Sequence, residues 1–221
     1  VKNTSFYEYR KRLGSELAKE NHVESDLIIP VPDSGVPAAI GYSEEIKKNV
    51  ELGIIRNHYV GRTFIEPTQQ IRSLGVKLKH NVNKSLIKDK SLILIDDSLV
   101  RGTTSVKIIK MLYEAGAKEV HLRIASPPIK YPDYYGVDTP DQNELLASKH
   151  NLESMRKYIN ATTLQFLSLE GLYKSMGYEK RNSPYPQFTD HCFTGDYPVK
   201  PIDANNKDFV DNQLSFMSSK S

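Results

Sequence analysis

Residues 92–105 read LILIDDSLVRGTTS: four aliphatic residues, two adjacent acids, then a loop of small and hydroxyl-bearing residues. A short apolar run bounded by turn residues reads as a strand buried on both faces, the kind that sits in a parallel sheet covered by helices. Asp96 and Asp97 then fall at the mouth of that sheet. Two neighbouring carboxylates cost free energy unless a cation or hydrogen-bond donors offset their repulsion. Magnesium, which takes few protein oxygens, and a ribose diol both suit them. The following loop runs straight into a helical pattern, so its backbone N–H groups face an anion from the positive end of a helix dipole. Gly102 permits a tight turn, and Thr103, Thr104 and Ser105 add hydroxyl donors. Strand, acid pair and anion loop together describe a sugar-phosphate site. A plain capped turn, with Thr103 as an ordinary N-cap, explains any one of these residues about as well but explains the whole string poorly. The Walker pattern GxxxxGK[ST] is absent.

The same alternation continues on either side. DLIIPV (26–31), ELGIIRN (51–57), SLILID (91–96) and EVHLRIAS (119–126) read as strands. VPAAIGYSEEIKK (36–48) and TTSVKIIKMLYEAGA (103–117) read as helices, the second stopped by Gly116. A further helix is predicted around QQIRSLGVKLK (69–79). After residue 127 short helices and one strand, TLQFLS (163–168), are expected. The fold class is therefore α/β, a mostly parallel sheet flanked by helices, with a C-terminal helical extension and an irregular tail. Such sheets bind ligands at the carboxyl ends of their strands, where loops 31–36 and 97–103 should lie together.

The chain begins almost at once in helical spacing, SFYEYRKRLGSELAKE, with Phe6, Tyr9, Leu13 and Leu17 on one face. No room is left for a strand before it, which suggests a cut through a larger protein and a missing N-terminal edge. The expected organisation is a domain over 1–177 and an extended tail over 178–221, rich in Pro, Asn, Asp and Ser. There are no repeats and no low-complexity tract.

Bulk properties narrow the function classes. The 221 residues are 38% hydrophobic and 26% charged, and no 18-residue apolar window suggests a membrane span. A net charge of +3 is too small to point to nucleic acid. One cysteine, Cys192, allows no internal disulfide and fits a reducing cytoplasm. The histidines show no metal-ligand spacing.

LILIDDSLVRGTTS resembles the phosphoribosyl-pyrophosphate (PRPP) binding motif of type I phosphoribosyltransferases. IIPVPDSGVPAAIGYSE (28–44), NHYVGRTFIEPTQQIRSLGVKLKHN (57–81), YEAGA (113–117), SPPI (126–129), YYGVDTP (134–140) and CFTGDYP (192–198) extend the resemblance to the glutamine PRPP amidotransferase family, over about residues 4 to 200. The resemblance implies the type I phosphoribosyltransferase fold and attack of ammonia on C1 of PRPP. The products would be 5-phosphoribosylamine and pyrophosphate, in the first committed step of purine synthesis. It implies PRPP contacts from Asp33, Ser34 and Gly35 in a pyrophosphate loop, and from Asp96, Asp97, Ser98, Val100, Arg101, Gly102, Thr103 and Thr104 around the ribose and 5′-phosphate. It places magnesium on Ser34, Asp96 and Asp97. Arg62 and Arg72 would sit on a closing loop, bring positive charge to the pyrophosphate and exclude water. No protein nucleophile is required.

Two departures from that family matter. Its complete enzymes carry an N-terminal glutaminase domain with a cysteine nucleophile at its start, and nothing here corresponds to it: residue 1 is Val. The expectation is that a glutaminase domain precedes this one in the native chain and supplies ammonia from glutamine. Some members hold an iron–sulfur cluster on four cysteines, two of them in a C-terminal CxxC. Here that stretch reads TDHC, with Thr189 in the first position and Cys192 alone, so no cluster is expected. The family also implies a homo-oligomer and inhibition by purine nucleotides. The competing readings are a PRPP sensor without turnover, which would carry a DNA-binding element not found here, and an inactive truncated domain.

Overall fold

The computed structural model describes residues 4–57, 80–136, 139 and 141–199. Its centre is a sheet of four parallel strands: β1 (Leu27–Pro30), β4 (Ser91–Asp96), β5 (Glu119–Ile124) and β6 (Thr163–Phe166), side by side in that order. The register sets Pro30 opposite Ile95 and Asp96 opposite Ile124, so the strands end at one common edge. β4 and β5 are buried at five of six positions each, which is why they read as unbroken apolar runs rather than alternating ones. A separate antiparallel pair, β2 (Ile54–Arg56) and β3 (His80–Val82), lies beside the sheet.

Each face of the sheet has its own core. On one side Ile28, Ile93 and Ile95 pack against α1 (Phe6–Glu20) and α2 (Val36–Ile46) through Leu17, Ala38, Ala39 and Tyr42. On the other, Leu92, Leu94, Leu122 and Leu164 meet α4 (Thr103–Glu114) and α6 (Leu152–Ile159), while α3 (Lys84–Ile87) contributes Ile87. The remaining elements among the described residues are a 3-10 turn (Gln142–Glu144), α5 (Leu146–Lys149), α7 (Leu169–Ser175) and α8 (His191–Thr194).

Helices α1 and α2 cross at two glycines. A Cβ at Gly14 would lie 1.8 Å from the Ala38 carbonyl oxygen, and one at Gly41 would lie 1.8 Å from that of Lys11. Only glycine lets the two backbones approach this closely. The apolar stripe expected on α1 holds only in part: Leu17 is buried, Leu13 packs beside it and Tyr9 is half-buried, but Phe6 is 86% exposed. The far end of α1 reaches β6, where the Asn21 side-chain amide donates to the Phe166 carbonyl at 3.3 Å.

Residues 178–199, read from composition as extended, include α8 and the buried side chains of Asp190 and His191. The helix expected near 69–79 and the far end of the tail lie outside the described residues. Among the described residues no helix is long and apolar enough to cross a membrane.

Candidate functional site at the carboxyl edge of the sheet

β1 and β4 end next to each other, and each feeds a short loop that opens a helix. In the first loop Val31 N–H donates to the Ile95 carbonyl (2.8 Å) and Gly35 N–H to that of Val31 (2.9 Å). The Pro32–Asp33 peptide bond is cis. Gly35 is buried, and a Cβ there would come within 2.2 Å of the Ile95 carbonyl oxygen. The loop can therefore lie against β4 only with glycine at this position. That approach carries Ser34 sideways, and its hydroxyl donates to Asp96 Oδ1 at 2.9 Å.

Asp96 closes β4 with its side chain inside the protein, 7% exposed. The same Oδ1 also accepts the Asp97 N–H at 2.9 Å. Burial, and next the charge of Asp97, push its pKa up to about 7; the bonds from Ser34 and the Asp97 backbone pull the other way without prevailing. Asp97 is more open. Its Oδ2 accepts from Arg10 Nη2 at 3.0 Å, and its Oδ1 from the Ser98 hydroxyl at 3.1 Å.

The second loop is held by its backbone. The Val100 carbonyl accepts the Leu146 N–H at 2.9 Å. Gly102, at φ +76°, begins α4 in the left-handed region that favours glycine. Glycine caps both α2 and α4, so neither helix start has a capping side chain. In α4 the first turn consists of Thr103, Thr104 and Ser105, with both threonines exposed. Its leading N–H groups precede the first intrahelical bond, Val106 N–H to the Gly102 carbonyl.

The structure thus brings Ser34, Asp96, Asp97 and Ser98 into one hydrogen-bonded group, with Gly35 and Gly102 shaping the loops on either side. Asp33 stands apart, exposed and paired with Arg56 from the end of β2. Arg101 also turns away: its guanidinium pairs with Glu144, Nε donating at 2.8 Å. Arg62 and Arg72 lie outside the described residues. Sequence reasoning missed Arg10 and Arg56. Arg10 is separated from its acid by 87 residues, and no local pattern marks either one.

The donors fit a hard divalent cation. Ser34 and the two carboxylates offer only oxygens, and Asp96 carries a like-charge cost that a cation would offset. Among the described residues no group of three or more His, Cys, Asp or Glu side chains could hold a metal ion.

A second polar cluster sits in the C-terminal segment. Asp190, 2% exposed, accepts from Tyr173 Oη (2.8 Å), Arg181 Nε (2.6 Å) and Nη2 (3.1 Å), and Thr194 Oγ1 (3.1 Å). Burial opposes its ionisation, but the bonds from Arg181 and Tyr173 outweigh burial and hold its pKa below the usual value. Nearby, His191 Nε2 lies 3.1 Å from Asp133 Oδ2. Cys192 is half-buried, and burial, followed by the charge of Asp133, pushes its thiol up to about 11. Thr189 is exposed.

The β4 strand of this parallel sheet closes on one buried acid, Asp96, with the more open Asp97 next to it and a glycine-started loop on either side, an arrangement that belongs with the phosphoribosyltransferases. Residues 7–126 match the phosphoribosyl transferase domain, and the chain belongs to that family. Within it, the chain is 56% identical over 220 residues to the amidophosphoribosyltransferase of Rhizobium etli, a match covering 99% of this chain and 44% of that protein. It is 51% identical over 213 residues to the chloroplastic amidophosphoribosyltransferase 2 of Arabidopsis thaliana, covering 95% of this chain and 37% of that one. Among solved structures, glutamine PRPP amidotransferase from B. subtilis complexed with ADP and GMP superposes with a TM-score of 0.77 at 49% identity, covering 87% of this chain and 42% of the other. The chain therefore spans less than half the length of these relatives.

Proposed function

We propose that this chain binds PRPP at the ends of β1 and β4 and transfers an amino group, delivered as ammonia, to C1 of the ribose. Pyrophosphate leaves and 5-phosphoribosylamine forms, the step that opens purine biosynthesis. The observation that carries this reading is the 2.9 Å bond from Ser34 to Asp96, which joins the loop after β1 to the acid pair after β4. Together they make one oxygen-rich centre between two helix starts.

In this reading Asp96 and Asp97 accept from the ribose hydroxyls. Ser98, Val100, Arg101, Gly102, Thr103 and Thr104 receive the 5′-phosphate at the start of α4, where backbone N–H groups favour an anion. Asp33, Ser34 and Gly35 border the pyrophosphate, with Ser34, Asp96 and Asp97 as the magnesium ligands. Those three side chains would hold magnesium, which would supply charge neutralisation to the leaving pyrophosphate. Arg62 and Arg72 are assigned to the same charge, and to keeping water from the electron-deficient C1 as the pyrophosphate bond lengthens. For Arg101 to reach a phosphate, its pair with Glu144 must open.

We place the source of ammonia in a glutaminase domain of the same native chain, since the amidophosphoribosyltransferases it matches are more than twice its length. The B. subtilis relative was solved with ADP and GMP, and on that basis we extend purine-nucleotide inhibition to this protein. Assembly as a homo-oligomer and a cytoplasmic location complete the proposal.

Pyrophosphate release from PRPP with magnesium tests the reaction, with either ammonium chloride at alkaline pH or glutamine as the second substrate. Turnover with ammonium but not glutamine is the expected result for this chain. PRPP binding without turnover in either case would replace the enzyme with a sensor.

A further inference from the structure

Resting on the PRPP reading above, we propose that Arg10 is a positioning residue of this site, holding the Asp97 carboxylate in place across the mouth of the sheet. Asp97 stands beyond the end of β4, where no ladder hydrogen bond fixes it, yet both of its oxygens are engaged. Ser98 takes Oδ1 from the next residue along the chain, and Arg10 takes Oδ2 from a different layer of the protein. Of the two, only Arg10 brings a charge. An ionised donor makes a shorter and stronger bond to a carboxylate than a hydroxyl does.

What makes Arg10 more than a surface ion pair is the way α1 is mounted. Such a pair, about half exposed on the arginine side, contributes little to stability by itself. Its helix, however, is held on both sides of the sheet's carboxyl edge. Immediately after Arg10, the Lys11 carbonyl abuts Gly41, and one turn on Gly14 abuts the Ala38 carbonyl. At the other end the Asn21 amide donates to the Phe166 carbonyl, and Glu20 accepts both the N–H and the hydroxyl of Ser168. The helix thus stretches from the end of β4 to the end of β6, and the guanidinium reaches Asp97 from a braced backbone. An acid fixed before the sugar arrives loses less freedom on binding, so Arg10 should act on the affinity for PRPP more than on the rate of its bond cleavage.

The test is a double-mutant cycle on this chain, read by calorimetric titration with magnesium–PRPP and by ammonia-dependent pyrophosphate release. Arg10→Ala is expected to weaken binding and raise the KM for PRPP about five- to tenfold, with kcat changed less than about twofold. Arg10→Lys should recover most of the loss. Lys11→Ala, the neighbouring cation that pairs with Glu44 instead, should leave the KM unchanged. In an Asp97→Asn background, which keeps an accepting oxygen but removes the charge that Arg10 pairs with, Arg10→Ala should cost less than about twofold further. Equal losses from Arg10→Ala with and without Asp97 would overturn the proposal, as would an Arg10→Ala variant that binds PRPP as the parent does. A parent protein that binds no PRPP at all would bring down the substrate reading itself, a result separate from any difference among the variants.

Discussion

Among the described residues two aspartates, Asp96 and Asp190, are almost completely buried, and they are treated in opposite ways. Asp190 accepts from Tyr173, Thr194 and both arms of the Arg181 fork, and its carboxylate is stabilised. Asp96 receives one hydroxyl and one backbone N–H, both on the same oxygen, and faces another acid; its pKa rises to about 7. A buried carboxylate with a matched cation is a structural tie. A buried carboxylate beside a like charge, at the edge of a parallel sheet where ligands enter, is on the proposed function the group that meets the cation. The contrast separates what holds this fold together from what the fold is arranged to bind.

The sharpest way to break the comparison is to remove the charge of Asp96. Asp96→Asn keeps the shape and deletes the ionised form that a cation and a ribose need. Magnesium-dependent pyrophosphate release should fall on the order of 100-fold or more, while the thermal midpoint at pH 8 holds steady or rises. Full activity in the variant would place the chemistry elsewhere. A collapse in thermal midpoint would turn Asp96 into a second structural tie and erase the contrast.

The matching change at the other site should reverse the pattern. Asp190→Ala leaves the Tyr173 and Thr194 hydroxyls without their acceptor and Arg181 with Asp196 alone, a loss of about 2 kcal/mol by the usual cost of an unmet buried donor. Urea denaturation should show the drop. PRPP titration below the new midpoint should give nearly the parent affinity. A variant as stable as the parent would mean that the cluster around Asp190 closes again without its anion.

How much of this was legible beforehand follows from how local each feature is. β4 occupies the same residues, 91–96, as the apolar run that predicts it, and the helix predicted after Gly102 is α4, beginning at Thr103. Both follow from short-range periodicity and glycine chemistry. The loops after β1 and β4 meet because parallel strands in register must end together. Asp190 was not legible: its stretch has the composition of an extended tail, and its partners are drawn together only by packing. Arg10 was hidden for the same reason, its acid being 87 residues away. Gly14 and Gly41 read as unremarkable helix residues until the crossing of α1 and α2 shows that neither can carry a side chain.

The gentlest expected effect is in the pH dependence of stability, and its sign separates the two aspartates once more. The native pKa of Asp96 lies above its unfolded value of 3.8. Between those values the native state binds more protons than the unfolded state, so stability falls as pH rises from about 4 towards 7 and then levels off. Asp190 has the opposite sign: its native pKa lies below the unfolded value, so its contribution is present above about pH 4 and lost as pH falls further. Between pH 5 and pH 8 only Asp96 of the pair should therefore contribute a slope. Urea midpoints for the parent should decline across that range, and those for Asp96→Asn should decline less. Magnesium should stabilise the parent more at pH 8 than at pH 5, because the ion needs the carboxylate that the proton otherwise occupies. Equal slopes in parent and variant would mean that Asp96 is ionised throughout, and that Arg10 and Ser34 already satisfy the acid pair without a cation.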